Sequence, residues 1–420
     1  MPSKRRFRLL LLPSLLLLLL LAEGAVRYFQ AAVPPPENSP YMAHPAAGYV
    51  LRPSTPGQYP QDHDNYVNPS GFRDRDHDPV KPPRTLRILG IGDSHVYGDV
   101  AMHDNFLRVA ERKLADLLPA DAGSPEMVMM GVPGWGISNC TGALVSEGLP
   151  LHPDLVVLAL SVGTDVTGIP ITAEIIQGNL QFTGSEDPLH DALRSSRLFV
   201  LAEQIYLHRI MNSIRGAVST LRGSASGDAS AAENRNDEDQ PAKIDVAIEQ
   251  GGAGGGTEGI SRGYLRFISK QLPLYTLADD PDIAELWQLL EAELTEFDAA
   301  CRGADLPWML LVVPEEIQVD RGLRLRALDK LDVKAEAYDF GRPQKLLAAF
   351  AADRGVPVLD PMPLLRDLQR QDSRLYIPEN FHWNERGSLA AGSELAAAIT
   401  EMVAGGSGEN DAFSLDQLEK

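Results

Sequence analysis

Cysteine is almost absent from this sequence, which has only two, Cys140 and Cys301, among 420 residues. Two thiols cannot form the disulfide framework of small exported proteins, so we expect both to be free and buried. Basic residues are also scarce, because 38 Lys and Arg stand against 58 Asp and Glu and leave a formal net charge of −20. Such a chain repels phosphate polyanions, so nucleic acid is not expected as a partner, and we interpret the acidity as a source of solubility.

Long apolar runs are missing as well, except for one at residues 9–22 that follows the basic stretch MPSKRRFR. A membrane-spanning helix needs roughly 20 apolar residues, so residues 1–30 are predicted to be a signal peptide or an uncleaved signal anchor. In both cases the basic flank stays inside and the rest of the chain is extracytoplasmic, in the periplasm or at the cell surface. Any membrane contact would run through this segment if it stays uncleaved. No cysteine follows the run, which argues against a lipoprotein.

Composition divides the remaining chain into four parts. Residues 31–85, rich in Pro, Asp, His and Tyr, are predicted to be an extended linker and surface arm, and residues 86–404 form the main domain. An insert at 167–280 interrupts that domain. Its part from about 223 to 260 is too polar to fold and is predicted to be disordered, like the tail 405–420. Two acidic clusters in the arm lack metal-ligand spacing and are predicted to be solvated turns: Asp62, His63 and Asp64, then Asp74, Asp76, His77 and Asp78.

The main domain alternates short apolar runs with helical patterns. Continuous apolar runs bounded by turn signals predict strands buried on both faces of a parallel sheet; the runs are 86–91, 127–130, 155–160, 308–313 and 356–359. Helical spacing predicts helices at 106–118, at 281–302 after an Asp280 N-cap, and at 385–402. The fold class is therefore α/β, a three-layer α/β/α sandwich around a five-stranded parallel sheet. Ligands bind such sheets at the carboxyl ends of the strands.

Polar and glycine-bearing loops follow the first three runs at that edge. Ser94 comes directly after the first strand in ILGIGDSHVYGD, GVPGWG follows the second, and SVGTDV follows the third. Ser94 by itself is typical of a structural turn between a strand and a helix. Together with His382, which precedes the last helix, and with loops that offer backbone N–H groups, it indicates a nucleophile, a base and oxyanion donors.

The order and content of these motifs resemble the SGNH, or GDSL-like, hydrolases. Block I of that family is similar to ILGIGDSHVYG, block II to GVPGWG, block III to PDLVVLALSVGTDV and block V to FHWNERGSLAAGSELAAAI. The segments VNPSGFRDRD, LLVVPEEIQVD and VPVLDPMPLL resemble exported bacterial members, with some likeness to polysaccharide O-acetyltransferases of the same superfamily. The resemblance covers residues 64–402 outside the insert. It implies a flavodoxin-like SGNH hydrolase fold.

The resemblance also implies roles for the matched residues. Ser94 would be the nucleophile, and its backbone N–H and that of Gly134 would be oxyanion donors. His382 would take the serine proton and return it to the leaving alcohol. No metal or organic cofactor is expected, because His382 alone would activate Ser94.

Two positions depart from the family pattern. Thr164 stands where the family has Asn as the third oxyanion donor, and its hydroxyl is expected to donate in that place, although it is shorter and free to rotate. The acid that orients the histidine lies three or two residues before it in the family, and Glu379 and Asn380 occupy those positions. Glu379 can orient His382 if the loop fits its longer side chain, whereas the Asn380 amide cannot stabilise an imidazolium. If Glu379 does not reach Nδ1 of His382, the site is a Ser–His dyad.

Three functions follow from this reading. The first is a serine esterase acting on an acyl ester, either a small molecule or an O-acetylated extracytoplasmic glycan. The second is an O-acyltransferase on a surface polysaccharide. The third is a catalytically weakened glycan-binding protein that keeps the fold.

Other residues have less specific interpretations. His95 is expected to line the pocket or the surface, and the helical stripe through 198–218 to pack against the domain. Trp135 and Trp383 could stack on a sugar ring or pack in the core. The neighbouring glutamates Glu315 and Glu316 are expected to be solvated, and Asp360 to cap a turn or to serve as a substitute acid.

Overall fold

The computed structural model of this chain describes residues 14, 17–28, 40–119, 122–168, 172–176, 179–183, 196, 198–199, 260–371 and 374–405. The predictions for the disordered stretch 223–260, for the end of the tail and for nearly all of the stripe at 198–218 lie outside the described residues. The chain divides into two compact units, one of residues 1–39 and 174–245 and one of residues 40–173 and 246–420.

The larger unit is built on a five-stranded parallel sheet, as the sequence predicts. Its strands are β3 (Thr85–Gly92), β4 (Ser124–Gly131), β5 (Leu155–Ser161), β8 (Trp308–Val313) and β9 (Val358–Leu359), in the spatial order β4-β3-β5-β8-β9. After β3 the chain forms β4 on one side of β3 and then crosses back to form β5 on the other side. The crevice for a ligand in such a sheet opens at this reversal, beyond the carboxyl ends of β3 and β5.

Helices cover both faces of the sheet and complete the predicted three layers. They are α1 (Ser94–Tyr97), α2 (Phe106–Leu117), α3 (Ile137–Ala143), α4 (Val162–Gly168), α5 (Arg262–Gln271), α6 (Pro281–Gly303), α7 (Glu316–Val319), α8 (Arg321–Lys330), α9 (Arg342–Ala352), α10 (Met362–Arg370) and α11 (Glu385–Gly405). On one face α2 packs against α11, and on the other α3 packs against α6. Alternate strand residues supply the two cores, since successive side chains of a strand point to opposite faces. Leu86 and Ile88 join the α2–α11 core, whereas the segment after α3 packs over Leu89.

Local signals place the helix ends where the sequence suggests. Asp280 accepts hydrogen bonds from the backbone N–H groups of Asp282 and Ile283 and thereby caps α6. Gly303 is the last residue of α6 instead of lying just beyond it. Cys140 and Cys301 are both free and buried, as predicted.

The prediction of a surface arm needs correction for residues 40–85. The strands β1 (Tyr41–His44) and β2 (Gly48–Leu51) form an antiparallel hairpin, and Tyr49 is fully buried. Asp74 is fully buried as well. Its carboxylate pairs with Arg108 and with His77, so this cluster is an ion-pair network and not a solvated turn. The arm is thus an integral part of the larger unit.

The predicted insert also ends earlier than residue 280. Residues 260–280 contain α5 and a short 3-10 turn, Leu272–Tyr275, whose Leu274 and Tyr275 are fully buried. A stretch without a strong apolar run therefore contributes a helix to the larger unit.

The described part of the smaller unit consists of short elements. Residues 17–28 are helical, and Glu23 accepts hydrogen bonds from the Ser196 hydroxyl at 2.8 Å and the Leu198 N–H at 2.9 Å. The strands β6 (Thr172–Ile176) and β7 (Asn179–Thr183), which belong to this unit from residue 174 onward, pair with each other. Among the residues described, no helix has the length and apolar character required to cross a membrane.

Candidate active site

Ser94 is the first residue of α1 and follows β3 by two positions. Its Oγ lies 2.7 Å from Nε2 of His382, a residue 288 positions away in the sequence. The short helix α1 sits close to the end of β4, where a Cβ on Gly131 would lie 2.2 Å from the Tyr97 nitrogen. The absence of a side chain at Gly131 therefore allows the first turn after β3 to approach the neighbouring strand.

A tight loop between α10 and α11 presents His382 to Ser94. Tyr376 and Trp383 pair as an antiparallel bridge, and the Ile377 N–H donates to the His382 carbonyl at 2.9 Å. Within the loop, Glu379 and Phe381 have φ values of 55° and 45°. Residues other than glycine rarely adopt this left-handed backbone conformation, so the surrounding contacts must stabilise it.

The loop turns Glu379 away from His382, contrary to the sequence-based expectation. The Glu379 carboxylate instead accepts a hydrogen bond from the Ser261 N–H at 2.7 Å. The groups that face Nδ1 of His382 are the Asn380 Oδ1 at 2.5 Å and the Asp99 Oδ2 at 3.4 Å. The Asn380 amide also donates to Asp99 through Nδ2 at 3.0 Å. Two acceptors around Nδ1 favour the tautomer with its proton on Nδ1, which leaves Nε2 free to accept from Ser94.

The electrostatic surroundings suit His382 for the role of a base. Burial lowers the pKa of His382, and the neighbouring His95 lowers it further, while Asp99 opposes both without reversing them. Asp99 is partly exposed, and its contact with His382 is the main reason that its pKa falls to about 2. At neutral pH the imidazole is thus uncharged and Asp99 is ionised.

Gly134 lies at the same edge, in the loop that follows β4. Its φ of 81° favours glycine, and it is exposed to solvent, so its backbone can approach a substrate. The buried hairpin residue Tyr49 holds this loop at two points, because its hydroxyl donates to the Pro133 carbonyl at 3.1 Å and its carbonyl accepts from the Trp135 indole at 2.9 Å. The arm therefore supports the loop that carries the expected oxyanion donor.

Thr164 occupies the first turn of α4, beyond β5, and does not point a free hydroxyl into the site. Its Oγ1 donates to Asp93 Oδ2 at 3.1 Å. Asp93 is buried, and burial disfavours its charged form. Its contacts with His95 outweigh this and hold the pKa of Asp93 below its ordinary value. The Thr164 proton is consequently engaged by a buried carboxylate and is not free to donate to another oxygen.

A buried cluster of charged groups lies beneath the serine. His95 Nδ1 is 3.4 Å from Asp93 Oδ1, and its ring centroid is 4.8 Å from that of His382. Burial alone would lower the pKa of His95, but Asp93 and then Glu315 raise it above the ordinary value. Glu315 accepts from the Gly163 N–H at 3.0 Å and is buried, so its prediction as a solvated residue is wrong. His95 is likewise a buried neighbour of His382 and not a surface residue.

The remaining candidates have structural surroundings. Trp135 and Trp383 are buried, so they belong to the core and do not offer a face to a sugar. Glu316 is shielded from solvent beside the Tyr264 hydroxyl, and Asp360 accepts from the Met362 N–H at 3.0 Å, as a turn cap does. Within the described ranges, no group of His, Cys, Asp and Glu is arranged to hold a metal ion.

The residues of the site that sequence reasoning missed are Asp99 and Tyr49. Asp99 ends the stretch ILGIGDSHVYGD, five positions after Ser94, and its acidity next to the motif was the available signal. Tyr49 lies in a segment without periodicity, and no pattern marked it as a support of the Gly134 loop.

Comparison with known proteins finds similarity in structure only. No protein-family model and no curated protein matches the chain. Among solved structures it is similar to a lipase/acylhydrolase from Enterococcus faecalis, with 13% identity and a TM-score of 0.35 over 75% of this chain and 96% of that one. It is also similar to a catalytic mutant of an acetylxylan esterase from Geobacillus stearothermophilus, with 11% identity and a TM-score of 0.36 over 76% and 94%. An acetyl xylan esterase matches with 9% identity and a TM-score of 0.36 over 75% and 100%. Such identities and TM-scores carry no activity over to this chain, whose chemistry has to be inferred from its own side chains.

Proposed function

We propose that this chain is a serine ester hydrolase in which Ser94 attacks an acyl ester. The observation that carries the proposal is the 2.7 Å contact between Ser94 Oγ and His382 Nε2 at the carboxyl edge of the sheet. A serine hydroxyl becomes a nucleophile when a neutral imidazole within hydrogen-bond distance takes its proton. The lowered pKa of His382 supports that state at neutral pH.

The proposed reaction has two balanced halves. Ser94 Oγ forms a bond to the carbonyl carbon while its proton moves to His382 Nε2. Collapse of the tetrahedral intermediate breaks the ester C–O bond, and the leaving alcohol takes that proton, which leaves an acyl-Ser94. Water then attacks the acyl-Ser94 and gives a proton to His382, the bond between the acyl carbon and Ser94 Oγ breaks, and the carboxylic acid departs as His382 passes that proton to Ser94.

The developing oxyanion needs donors that are already in place. We assign this role to the backbone N–H groups of Ser94 and Gly134. The positive φ and exposure of Gly134 support its part in the assignment. Preorganised backbone donors stabilise a tetrahedral intermediate strongly, and losing one donor costs roughly 10²–10³ in kcat.

The substrate that we propose is an O-acylated glycan outside the cytoplasm. The basic and then apolar N-terminal segment supports export, and the site is open to solvent at Gly134 and partly open at Ser94. An acceptor hydroxyl in place of water would convert hydrolysis into acyl transfer. Release of free acetate and formation of a new ester on an added glycan distinguish these two outcomes.

Covalent labelling of Ser94 tests the proposal. A fluorophosphonate should label the wild type, and a chromogenic acetyl ester should release its alcohol in a burst. Ser94→Ala should lose both signals, and His382→Gln should slow both by at least 10³-fold. Ser393→Ala is the matched control, because this exposed hydroxyl only donates to the Leu389 carbonyl of its own helix. A wild type with neither labelling nor turnover would contradict the proposal and favour a glycan-binding protein.

A further inference from the structure

The polar contacts around His382 Nδ1 raise the question of which group supplies negative charge there. The nearest atom is the amide oxygen of Asn380, at 2.5 Å. An amide oxygen accepts a hydrogen bond from Nδ1–H but carries no net charge to stabilise an imidazolium. The only other group recorded against Nδ1 among the described residues is the carboxylate of Asp99, at 3.4 Å.

We propose that Asp99 is the carboxylate that positions His382, acting both directly and through the Asn380 amide. Asp99 lies on the same loop as the nucleophile, whereas the histidine and the amide come from the loop before α11. The proposal rests on the proposed function, because positioning a base has a catalytic consequence only if His382 acts as one.

The orientation of the Asn380 amide supports this role. Its Nδ2 donates to Asp99 Oδ2 at 3.0 Å while its Oδ1 faces His382. A flipped amide would place its oxygen against the Asp99 carboxylate and its NH₂ group against Nδ1–H. Both contacts would then be repulsive, so the charge on Asp99 fixes which end of the amide meets the histidine.

The position of Asp99 relative to other charges is also favourable. Arg73 donates to the Gly98 carbonyl and contributes to holding the pKa of Asp99 low. The other ionisable groups that act on His382 are Asp93 at the end of β3 and His95 in α1. Asp93 already pairs with His95, so Asp99 is the carboxylate that remains for the imidazolium formed during the reaction.

The variant Asp99→Asn removes the charge and keeps the size of the side chain. We expect kcat/KM to fall by about 10- to 100-fold, less than the roughly 10⁴-fold loss of a directly hydrogen-bonded triad aspartate, because Asn380 still selects the tautomer. The same variant should lower the pKa of His382 by about half a unit to one unit. The acid limb of the kcat/KM profile, which reports the neutral imidazole, should therefore move to lower pH.

A swap and a control sharpen the test. The double variant Asp99→Asn/Asn380→Asp returns a carboxylate to Nδ1 and should be several-fold more active than Asp99→Asn alone. Asp104→Asn removes a charge from the same segment, where the carboxylate pairs with the exposed His103, and should leave the pH profile in place. A purely structural role for Asp99 would lower activity without moving the acid limb.

NMR titration of ¹⁵N-labelled histidine separates this inference from the proposed function. The His382 resonance is identified by its loss in His382→Gln, and its pKa is measured without a substrate in the wild type and in Asp99→Asn. A drop of half a unit or more in Asp99→Asn supports the inference even if no esterase activity is found. An unchanged pKa, or a kcat/KM within twofold of the wild type in an active enzyme, would overturn it.

Discussion

Thr164 offers the sharpest test of how the oxyanion is stabilised. The sequence motif predicts that Thr164 is the third oxyanion donor, yet its hydroxyl donates to the buried Asp93 carboxylate at 3.1 Å. The variant Thr164→Val keeps the shape of the side chain and removes the hydroxyl. If the proton serves Asp93, the loss is one hydrogen bond to a charged group, about 1–3 kcal/mol of folding stability.

The catalytic effect of the same variant should be small. An oxyanion donor contributes about 2.7–4 kcal/mol to the transition state, so its removal would lower kcat by roughly 10²–10³. We expect Thr164→Val to lower kcat by less than about fivefold and to reduce the free energy of unfolding measured in urea. Ester hydrolysis at saturating substrate and equilibrium unfolding give the two numbers on one preparation. A 100-fold loss of kcat with unchanged stability would show that the hydroxyl turns to the oxyanion during the reaction.

Three further predictions concern groups around the site. Burial raises the pKa of Glu316 from 4.5 to about 7, so folding favours the neutral carboxyl, and the stability that it contributes is lost as the pH rises from 4.5 through 7. Because one pKa unit corresponds to about 1.4 kcal/mol, Glu316→Gln should be about 3 kcal/mol more stable than the wild type in urea at pH 8 and nearly equal to it at pH 4.5. An equal difference at both pH values would contradict this. Tyr49→Phe removes the hydrogen bond to the Pro133 carbonyl and should cost about 1 kcal/mol in unfolding free energy, with kcat lowered several-fold; unchanged kcat would mean that the loop needs no such support. Glu379→Gln should change kcat/KM by less than about threefold, because the carboxylate bonds the Ser261 N–H and not His382; a loss above 10²-fold would restore Glu379 as the orienting acid.

The sheet was predictable because a parallel strand covered on both faces is apolar at most of its positions. Each of the five apolar runs overlaps a strand, although β9 takes up only the last two residues of its run, and β3 is buried along its whole length. The start of α6 was equally predictable. Asp280 caps the first backbone N–H groups and Pro281 has a backbone angle suited to the first helical position, so neither depends on tertiary contacts. The edge that carries Ser94 follows from strand direction alone.

The hairpin of the arm was not predictable from pattern. Each strand has four residues, too few for a visible period, and many Pro, Gly and polar residues surround its buried Tyr49. The packing of such a segment depends on contacts with the loop after β4, which lies more than 80 residues away. Asp74 shows the same limit, because its burial makes sense only beside Arg108.

The carboxylate that faces His382 could not be predicted from the sequence, because the conformation of the loop decides which acid lies near the ring. Counting residues back from the histidine assumes one backbone shape, and the positive φ values at 379 and 381 give the loop another. Asn380 and His382 then face Asp99, while Glu379 faces Ser261. A sequence shows which acids are near a motif, but the sign of φ at two positions determines which of them meets the ring.

The placement of Asp99 has a consequence for the integrity of the site. Ser94 and Asp99 both belong to the short segment that follows β3, so residues 94–99 fix their separation, and Arg73 anchors that segment through the Gly98 carbonyl. The loop before α11 then has to place only the His382 ring between Ser94 and Asp99, whose positions are already fixed. Asn380 contacts both the ring and Asp99, so it couples the position of the histidine loop to that of the serine loop. Asn380→Ala should for this reason lower kcat more than Glu379→Ala does, even though an alanine at either position removes one polar side chain from the same loop.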